Sequence, residues 1–167
     1  ADEVAVRYPL ATQNLHHEIE WVVALGDGGE HIPVAEASAL IYGYTVGLDL
    51  TRRDIQARAK EKGHPWDMSK GFDQSAVAGA ITPATACGHP AQGRIWLEVN
   101  GESRQQGDLA DMMWKVPEII ANLSTLVRLE AGDLIYTGTP AGVGPVHRGD
   151  VLVAGVDGIA SLRARIV

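Results

Sequence analysis

Residues 18–25 read Glu-Ile-Glu-Trp-Val-Val-Ala-Leu, and residues 26–29 read Gly-Asp-Gly-Gly. The first segment is apolar and rich in β-branched residues after two alternating positions, which is typical of a strand. The four residues that follow favour a tight turn, because glycine and aspartate accept the backbone angles that such turns require. A strand that ends in a turn is therefore predicted here, and most of the chain repeats this pattern.

The remaining segments predict short strands, a few helices and one irregular stretch. Further strands are expected over residues 44–50, 94–99 and 133–137, with two more in 151–167. Hairpin turns are expected at Asn100-Gly101 and Asp157-Gly158. Helices are expected over residues 34–42, 52–62 and 116–126. Thr-Arg-Arg-Asp at 51–54 resembles a capping box with Asp for Glu, and Gly63 has the position of a C-terminal cap. Residues 64–80 are irregular and contain glycine, which predicts a loop.

This order of elements predicts an α+β fold dominated by strands, because it lacks the regular βαβ alternation of a doubly wound sheet. The 167 residues favour one domain spanning the whole chain, residues 1–167. The hydrophobic fraction of 46% and the charged fraction of 21% are those of an ordinary globular protein.

Charge and composition exclude several classes of function. With 14 basic against 21 acidic residues the net charge is −7, and without a basic stripe nucleic acid is not an expected partner. No stretch approaches the roughly 20 apolar residues of a membrane helix. The single cysteine, Cys87, excludes an intramolecular disulfide and favours a reducing compartment, so a cytoplasmic location is expected. Residues 1–4 lack the features of a signal peptide and an initiator Met, which indicates a processed or trimmed chain.

Three carboxylates are candidates for a metal site. In a strand, Glu18 and Glu20 would point to one face, where they would repel each other unless a cation lay between them. Asp49 ends an apolar strand, where burial is costly unless the group is paired or bound to metal. Hard divalent ions prefer such oxygen ligands. The alternatives are an exposed strand edge for the two glutamates, and for Asp49 either pairing with Arg52 or Arg53 or capping of the helix that follows.

Candidates for substrate contacts lie on a helix and on two loops. Arg53 and Gln56 are three residues apart and share a helix face, which would alternatively be a solvated polar surface. Lys70 lies between a serine and a glycine and could neutralise an anion, or could be an ordinary exposed lysine. The loop 138–145, with the residue before it, offers the Thr137 and Thr139 hydroxyls and backbone N–H groups to a carboxylate, or could be a structural turn.

Common catalytic motifs are missing from the sequence. It contains no P-loop, no G-x-G-x-x-G, no H-E-x-x-H and no G-x-S-x-G pattern. The adjacent His16 and His17 would face opposite sides of a strand and so do not form a metal-binding pair. Serine hydrolase and zinc protease activities are therefore not expected.

Five segments, taken in order, resemble the fumarylacetoacetate hydrolase family. They read NLHHEIEWVVALG, GYTVGLDLTRRDIQ, KGHPWDMSKGFD, LEVNGESRQQGD and GDLIYTGTPAGVGP. Within the family, the first two are most similar to acylpyruvate hydrolases, including fumarylpyruvate hydrolase. The resemblance implies a mixed β-roll with few helices, assembled as a homodimer.

The resemblance also implies a site and a reaction. Mg²⁺ or Mn²⁺ would be held by Glu18, Glu20 and Asp49, with Lys70 over the metal. Arg53 and Gln56 would face the substrate, a small anionic 2-oxo acid, and Thr139 would contact its carboxylate. The implied activity is hydrolysis of the C3–C4 bond of a 2,4-dioxo acid, with fumarylpyruvate giving fumarate and pyruvate.

Two alternatives remain beside this activity. The same metal site could isomerise or decarboxylate a 2-oxo or 2-hydroxydienoic acid such as oxaloacetate, because these reactions also pass through an enolate. Acylpyruvate hydrolases carry a catalytic His and Glu in a segment before the metal strand, and the six histidines here do not match that position. The expectation is that this segment is missing from the chain or that another group acts as base. A chain without the segment would bind metal and ligand with little turnover.

Overall fold

The computed structural model describes residues 3–167 and is built mainly from short strands. The strands are β1 (Glu3–Val6), β2 (Leu15–His17), β3 (Ile19–Leu25), β4 (Ile41–Asp49), β5 (Thr51–Arg52), β6 (Ala76–Ala78), β7 (Thr82–Pro83), β8 (Arg94–Val99), β9 (Glu102–Asp108), β10 (Leu134–Tyr136), β11 (Gly144–Val146), β12 (Val151–Val156) and β13 (Ala160–Ile166). The helices are α1 (Val34–Ala37), α2 (Arg53–Lys62), α3 (Asp67–Lys70), α4 (Ala84–Cys87) and α5 (Val116–Leu123), with 3₁₀ turns at Ser38–Leu40 and Leu109–Asp111.

The strands form three sheets, of which one is mixed and two are antiparallel. One sheet has the order β1-β13-β12-β8-β9, in which β1 and β13 are parallel. The second has the order β10-β3-β4-β6, with β7 also paired to β4. The third, β11-β2-β5, is antiparallel. The predicted strand-dominated α+β class is confirmed.

A single hydrophobic cluster lies between the sheets. Alternate residues of β3 and β4 enter it, because side chains along a strand point to opposite faces. Trp21 of β3 stacks on Tyr44 of β4 with ring centroids 4.8 Å apart. The intervening positions, which include Glu20 and Asp49, point to the opposite face of this sheet, where the candidate site lies.

Both predicted hairpins and one helix end are confirmed. Asn100 (φ 54°) and Gly101 (φ 81°) join β8 to β9 with the left-handed angles of a type I′ turn. Asp157 and Gly158 lie in the turn between β12 and β13. Helix α2 ends at Gly63, whose φ of 63° suits glycine, and its N–H donates to Lys60.

The predicted capping box of α2 is wrong. Thr51 is fully buried in β5, where it pairs with His16, so its hydroxyl does not cap the helix. The Asp54 carboxylate instead accepts a hydrogen bond from the Thr12 hydroxyl at 2.6 Å. Long-range pairing thus outweighs the local capping pattern.

Other boundaries also differ from the predictions. Residues 41 and 42 continue β4 rather than the helix before it, because Ile41 pairs with Leu25 across the sheet. Helix α5 ends at Leu123, three residues early. The expected loop 64–80 contains α3 and β6, and the N-terminal strand β1 was not predicted. No helix in residues 3–167 has the length and apolar character needed to cross a membrane.

Replacing Gly47 by alanine should destabilise the sheet that carries the site. A Cβ at this position of β4 would lie 2.7 Å from Tyr136 Cε1 and 2.8 Å from Val22 Cγ2. Overpacking of this kind costs about 1–3 kcal/mol, which urea denaturation would measure. Gly144→Ala is the matched strand control, because its nearest contact would be an ordinary 3.4 Å. Equal midpoints for the two variants would contradict the prediction.

Candidate active site

Three carboxylates converge where β2 ends and β3 begins. Glu18 lies between these strands rather than within one strand, so the predicted strand geometry is wrong at this residue. Its carbonyl nevertheless accepts a hydrogen bond from the Asp49 N–H at 2.8 Å, which brings the end of β4 beside it. Ligand oxygens of Glu18, Glu20 and Asp49 all lie within 4.8 Å of one another.

Both glutamates are buried, which excludes the exposed-edge alternative. Glu18 is 8% exposed and Glu20 4% exposed. Burial and, to a lesser extent, the negative charges of Asp49 and Glu18 raise the pKa of Glu20 to about 7. The Gly138 N–H, which donates to Glu20 Oε2 at 2.6 Å, only partly offsets this increase. Burial likewise raises the pKa of Asp49. The cluster therefore holds its negative charge at an energetic cost.

Lys70 lies at the end of α3 and balances part of this charge. Its Nζ donates to Glu18 Oε2 at 2.8 Å and also to Asp49 Oδ2. Burial alone would favour the neutral amine, but the two carboxylates outweigh it and raise the pKa of Lys70. Asp49 thus pairs with Lys70, and not with Arg52 or Arg53 as the alternative proposed.

Arg53 at the start of α2 is the second cation of the cluster. Its Nη2 donates to Glu18 Oε1 at 2.6 Å and its Nη1 to Gln56 Oε1 at 2.5 Å, so the two predicted helix residues do meet. Burial opposes ionisation of Glu18, but hydrogen bonds from Lys70 and Arg53 prevail and lower its pKa. The charged form of Glu18 is therefore favoured.

His16 fixes the direction of the Arg53 side chain. Arg53 Nε donates to His16 Nδ1 at 3.3 Å, so the proton of neutral His16 lies on Nε2, which is 2.9 Å from Asn14 Oδ1. Burial, together with the Arg53 charge, lowers the pKa of His16 and keeps it neutral. The contact between His16 and Arg53 could not be predicted from the adjacent histidines, because only tertiary structure brings Arg53 to His16.

A cleft of about 670 Å³ is lined by the loop 137–141, and Gly138 of this loop donates its N–H to Glu20 Oε2. Met112, Trp114 and Tyr136 give it an apolar wall, and Thr139 contributes a hydroxyl. Thr137 is turned away, because its hydroxyl donates to Trp21 O at 2.7 Å. Thr139 is therefore the threonine of the Thr-Gly-Thr sequence that is free to face a ligand.

Gln105 of β9 links this loop to the carboxylate strand. It is 1% exposed, and its side chain contacts His17, Ile19, Thr139 and Pro140. The sequence offered no reason to choose it over its neighbour Gln106, because no pattern predicts hydrogen bonds to segments 86 or more positions away. It is the principal site residue that sequence analysis missed.

The donor set fits a hard divalent cation. All three groups offer carboxylate oxygens. Burial raises the pKa of Glu20 and of Asp49, which indicates that the protein's own cations do not fully balance the negative charge of these two groups. Mg²⁺ and Mn²⁺ prefer oxygen ligands of this kind, whereas thiolate or imidazole ligands suited to softer metals are not part of the cluster.

Glu20→Gln should stabilise the metal-free protein at alkaline pH. An acid whose pKa is raised in the folded state binds its proton more tightly there, so its contribution to stability falls as the pH rises from about 4.5 to about 7. This difference corresponds to about 3 kcal/mol. We expect urea denaturation in the presence of a chelator to show that the free energy of unfolding of wild type, relative to that of Glu20→Gln, falls by about this amount between pH 5 and pH 8. Parallel pH profiles would contradict the prediction.

Comparison with known proteins identifies the family. The sequence profile described as "Fumarylacetoacetate (FAA) hydrolase C-terminal" matches residues 1–167. A fumarylpyruvate hydrolase of Ralstonia sp is 47% identical over 157 residues, which are 94% of this chain and 81% of that protein. The mitochondrial oxaloacetate tautomerase FAHD1 of Mus musculus is 45% identical over 161 residues, or 96% of this chain and 73% of that protein.

A solved structure agrees with the sequence relationship. The fumarylpyruvate hydrolase from Pseudomonas aeruginosa, in complex with Mn²⁺ and pyruvate, is 45% identical and superposes with a TM-score of 0.96. The match covers 99% of this chain and 71% of the other. The resemblance seen in the five sequence segments is thus confirmed, and the chain belongs to the fumarylacetoacetate hydrolase family.

Proposed function

We propose that this protein is a metal-dependent hydrolase that cleaves the C3–C4 bond of a 2,4-dioxo acid, with fumarylpyruvate as substrate. One observation carries the proposal: three clustered carboxylates are paired with two cations, and the loop that donates a hydrogen bond to Glu20 also lines a cleft with Thr139. The fumarylpyruvate hydrolase relatives support this choice of substrate.

Glu18, Glu20 and Asp49 would hold Mg²⁺ or Mn²⁺. When bound, such an ion supplies Lewis-acid stabilisation of negative charge that develops on substrate oxygens. The Mn²⁺ and pyruvate complex of the Pseudomonas aeruginosa protein supports both the metal and an oxo-acid ligand.

The cationic residues would stabilise the product as it forms. Water supplies the oxygen that joins C4 and gives the fumarate carboxylate, while the electron pair of the C3–C4 bond passes to the pyruvate part as an enolate. Protonation at C3 then gives pyruvate. Lys70 and Arg53 provide positive charge near the developing oxyanion, and electrostatic stabilisation of this kind is usually a large part of catalysis. Gln56 holds Arg53, and Thr139 would receive the substrate carboxylate.

Tautomerisation of oxaloacetate is the second candidate. It is favoured by the 45% identity to the mouse oxaloacetate tautomerase, and it needs the same stabilisation of an enolate oxygen. Hydrolysis consumes water and yields two acids, whereas tautomerisation conserves the mass of the substrate. Product analysis therefore separates the two activities.

The protein would act as a homodimer, by analogy with the family. Exposed apolar side chains on the α5 side, Trp114 at 54% and Leu126 at 72% exposure, are available for burial between subunits. Light scattering after size exclusion would measure the mass.

Glu20→Ala should abolish turnover of fumarylpyruvate. Removal of one of the three carboxylates should lower metal affinity, so the loss of substrate absorbance that needs Mg²⁺ or Mn²⁺ in wild type should fall at least a hundredfold. Chromatography of the products should give fumarate and pyruvate in equal amounts. Glu61→Ala, at an exposed position of α2, is the matched control and should retain wild-type rates. Metal-independent turnover by wild type would contradict the proposal, and conversion of oxaloacetate alone would favour the second candidate.

Lys70→Met should separate metal binding from turnover. In the protein without metal, Lys70 occupies carboxylate oxygens that an ion would use, so its loss should leave Mn²⁺ affinity unchanged or higher. Turnover should fall about a hundredfold or more, because the positive charge beside the enolate oxygen is gone. Calorimetric titration with Mn²⁺ and the absorbance assay would measure the two effects. Lys62→Met, at the exposed end of α2, is the control. Loss of affinity and activity in parallel would show that Lys70 has no separate role in turnover.

A further inference from the structure

The Gln105 side chain makes four hydrogen bonds across the site. Its Oε1 lies 3.0 Å from Ile19 N and 2.8 Å from His17 Nδ1. Its Nε2 lies 2.8 Å from Thr139 Oγ1 and 2.9 Å from Pro140 O. The residue thus uses both amide protons and both lone pairs of its carbonyl oxygen while fully buried.

Two backbone groups fix the orientation of this amide. The Ile19 N–H can only donate, and the Pro140 carbonyl can only accept. Turning the amide over would place two donors against each other at Ile19 and two acceptors at Pro140. In a buried site each such loss costs the full desolvation of the group. The oxygen of Gln105 therefore faces β3, and its nitrogen faces the loop of the cleft.

The orientation of Gln105 determines where the hydroxyl proton of Thr139 can point. Since Nε2 donates to Thr139 Oγ1, this oxygen accepts, and its own proton must point elsewhere. Among residues 3–167 the Thr139 hydroxyl donates to no protein acceptor, and Thr139 lines the cleft. The hydroxyl proton is thus available to a ligand.

We propose that Gln105 is a positioning residue that holds the Thr139 hydroxyl as a hydrogen-bond donor to an anionic oxygen in the cleft. The inference rests on the proposed function, because it assumes that a 2-oxo acid binds there. It leaves the Thr139 hydroxyl proton free to be donated to a carboxylate oxygen of the ligand, which accepts. The same amide also sets neutral His17 with its proton on Nδ1.

Oxalate binding tests the role of Gln105 through a double-mutant cycle. The full chain loaded with Mn²⁺ would be titrated with oxalate by calorimetry, as wild type, Gln105→Met, Thr139→Val and the double variant. Each single change should weaken oxalate binding about tenfold, the effect of losing one hydrogen bond to a charged group. Because Gln105 acts through Thr139, the double variant should be no weaker than Thr139→Val. Gln92→Met, at an exposed position of the loop before β8, is the control.

The outcomes separate this proposal from the proposed function. If Gln105→Met weakens oxalate binding equally with and without the Thr139 hydroxyl, or not at all, the positioning role is overturned while the metal site stands. If wild type binds neither Mn²⁺ nor oxalate, the proposed function falls and the positioning role falls with it.

A measurement on the wild-type protein tests the proposal even if one of the variants does not fold. Nitrogen-15 NMR of the His17 ring should find Nδ1 protonated and Nε2 bare. The opposite tautomer would mean that the amide is turned over, which overturns the proposal whatever the binding results.

Discussion

The structure depends on the clustering of buried Glu18 and Glu20 with half-buried Asp49. Each carboxylate loses hydration and repels the other two, so the cluster is costly unless positive charge compensates it. Lys70, Arg53 and the Gly138 N–H supply that compensation, and they come from α3, α2 and the loop after β10. Hydrogen bonds and ion pairs with the carboxylates thus attach three separate segments to the region where β3 begins.

The sheet supplies the rigidity on which this arrangement relies. Antiparallel pairing of β3 with β4 extends from Ile19 opposite Leu48 to the bulge after Ala24, and the inner face carries the stacked Trp21 and Tyr44. Polar residues on the outer face are therefore carried by two strands whose positions the core has already fixed. Rigid elements hold a site more precisely than loops do.

Much of the site could be predicted from the sequence, but not its connections. Two signals point to the site residues. The carboxylates are polar residues in or beside apolar strands, and the segments that contain the carboxylates, Lys70 and Arg53 resemble those of a known family in the same order. Hairpins such as Asn100-Gly101 were predictable because the backbone angles depend on adjacent residues. The pairing of Thr51 in β5, the break at Glu18 and the Gln105 hydrogen bonds could not be predicted, because each is set by a partner far away in the chain. Local patterns cannot report such partners.

The break at Glu18 has a consequence for how the molecule holds together. Strand β2, before the break, belongs to the sheet with β5 and β11, whereas β3, after it, belongs to the sheet with β4 and β10. A ligand that contacts Glu18 and Glu20 at once therefore bridges the junction of two sheets. The binding free energy of such a ligand stabilises the contact between the two sheets, because opening either sheet releases the ligand. Backbone amides in both sheets should therefore gain protection from hydrogen exchange together.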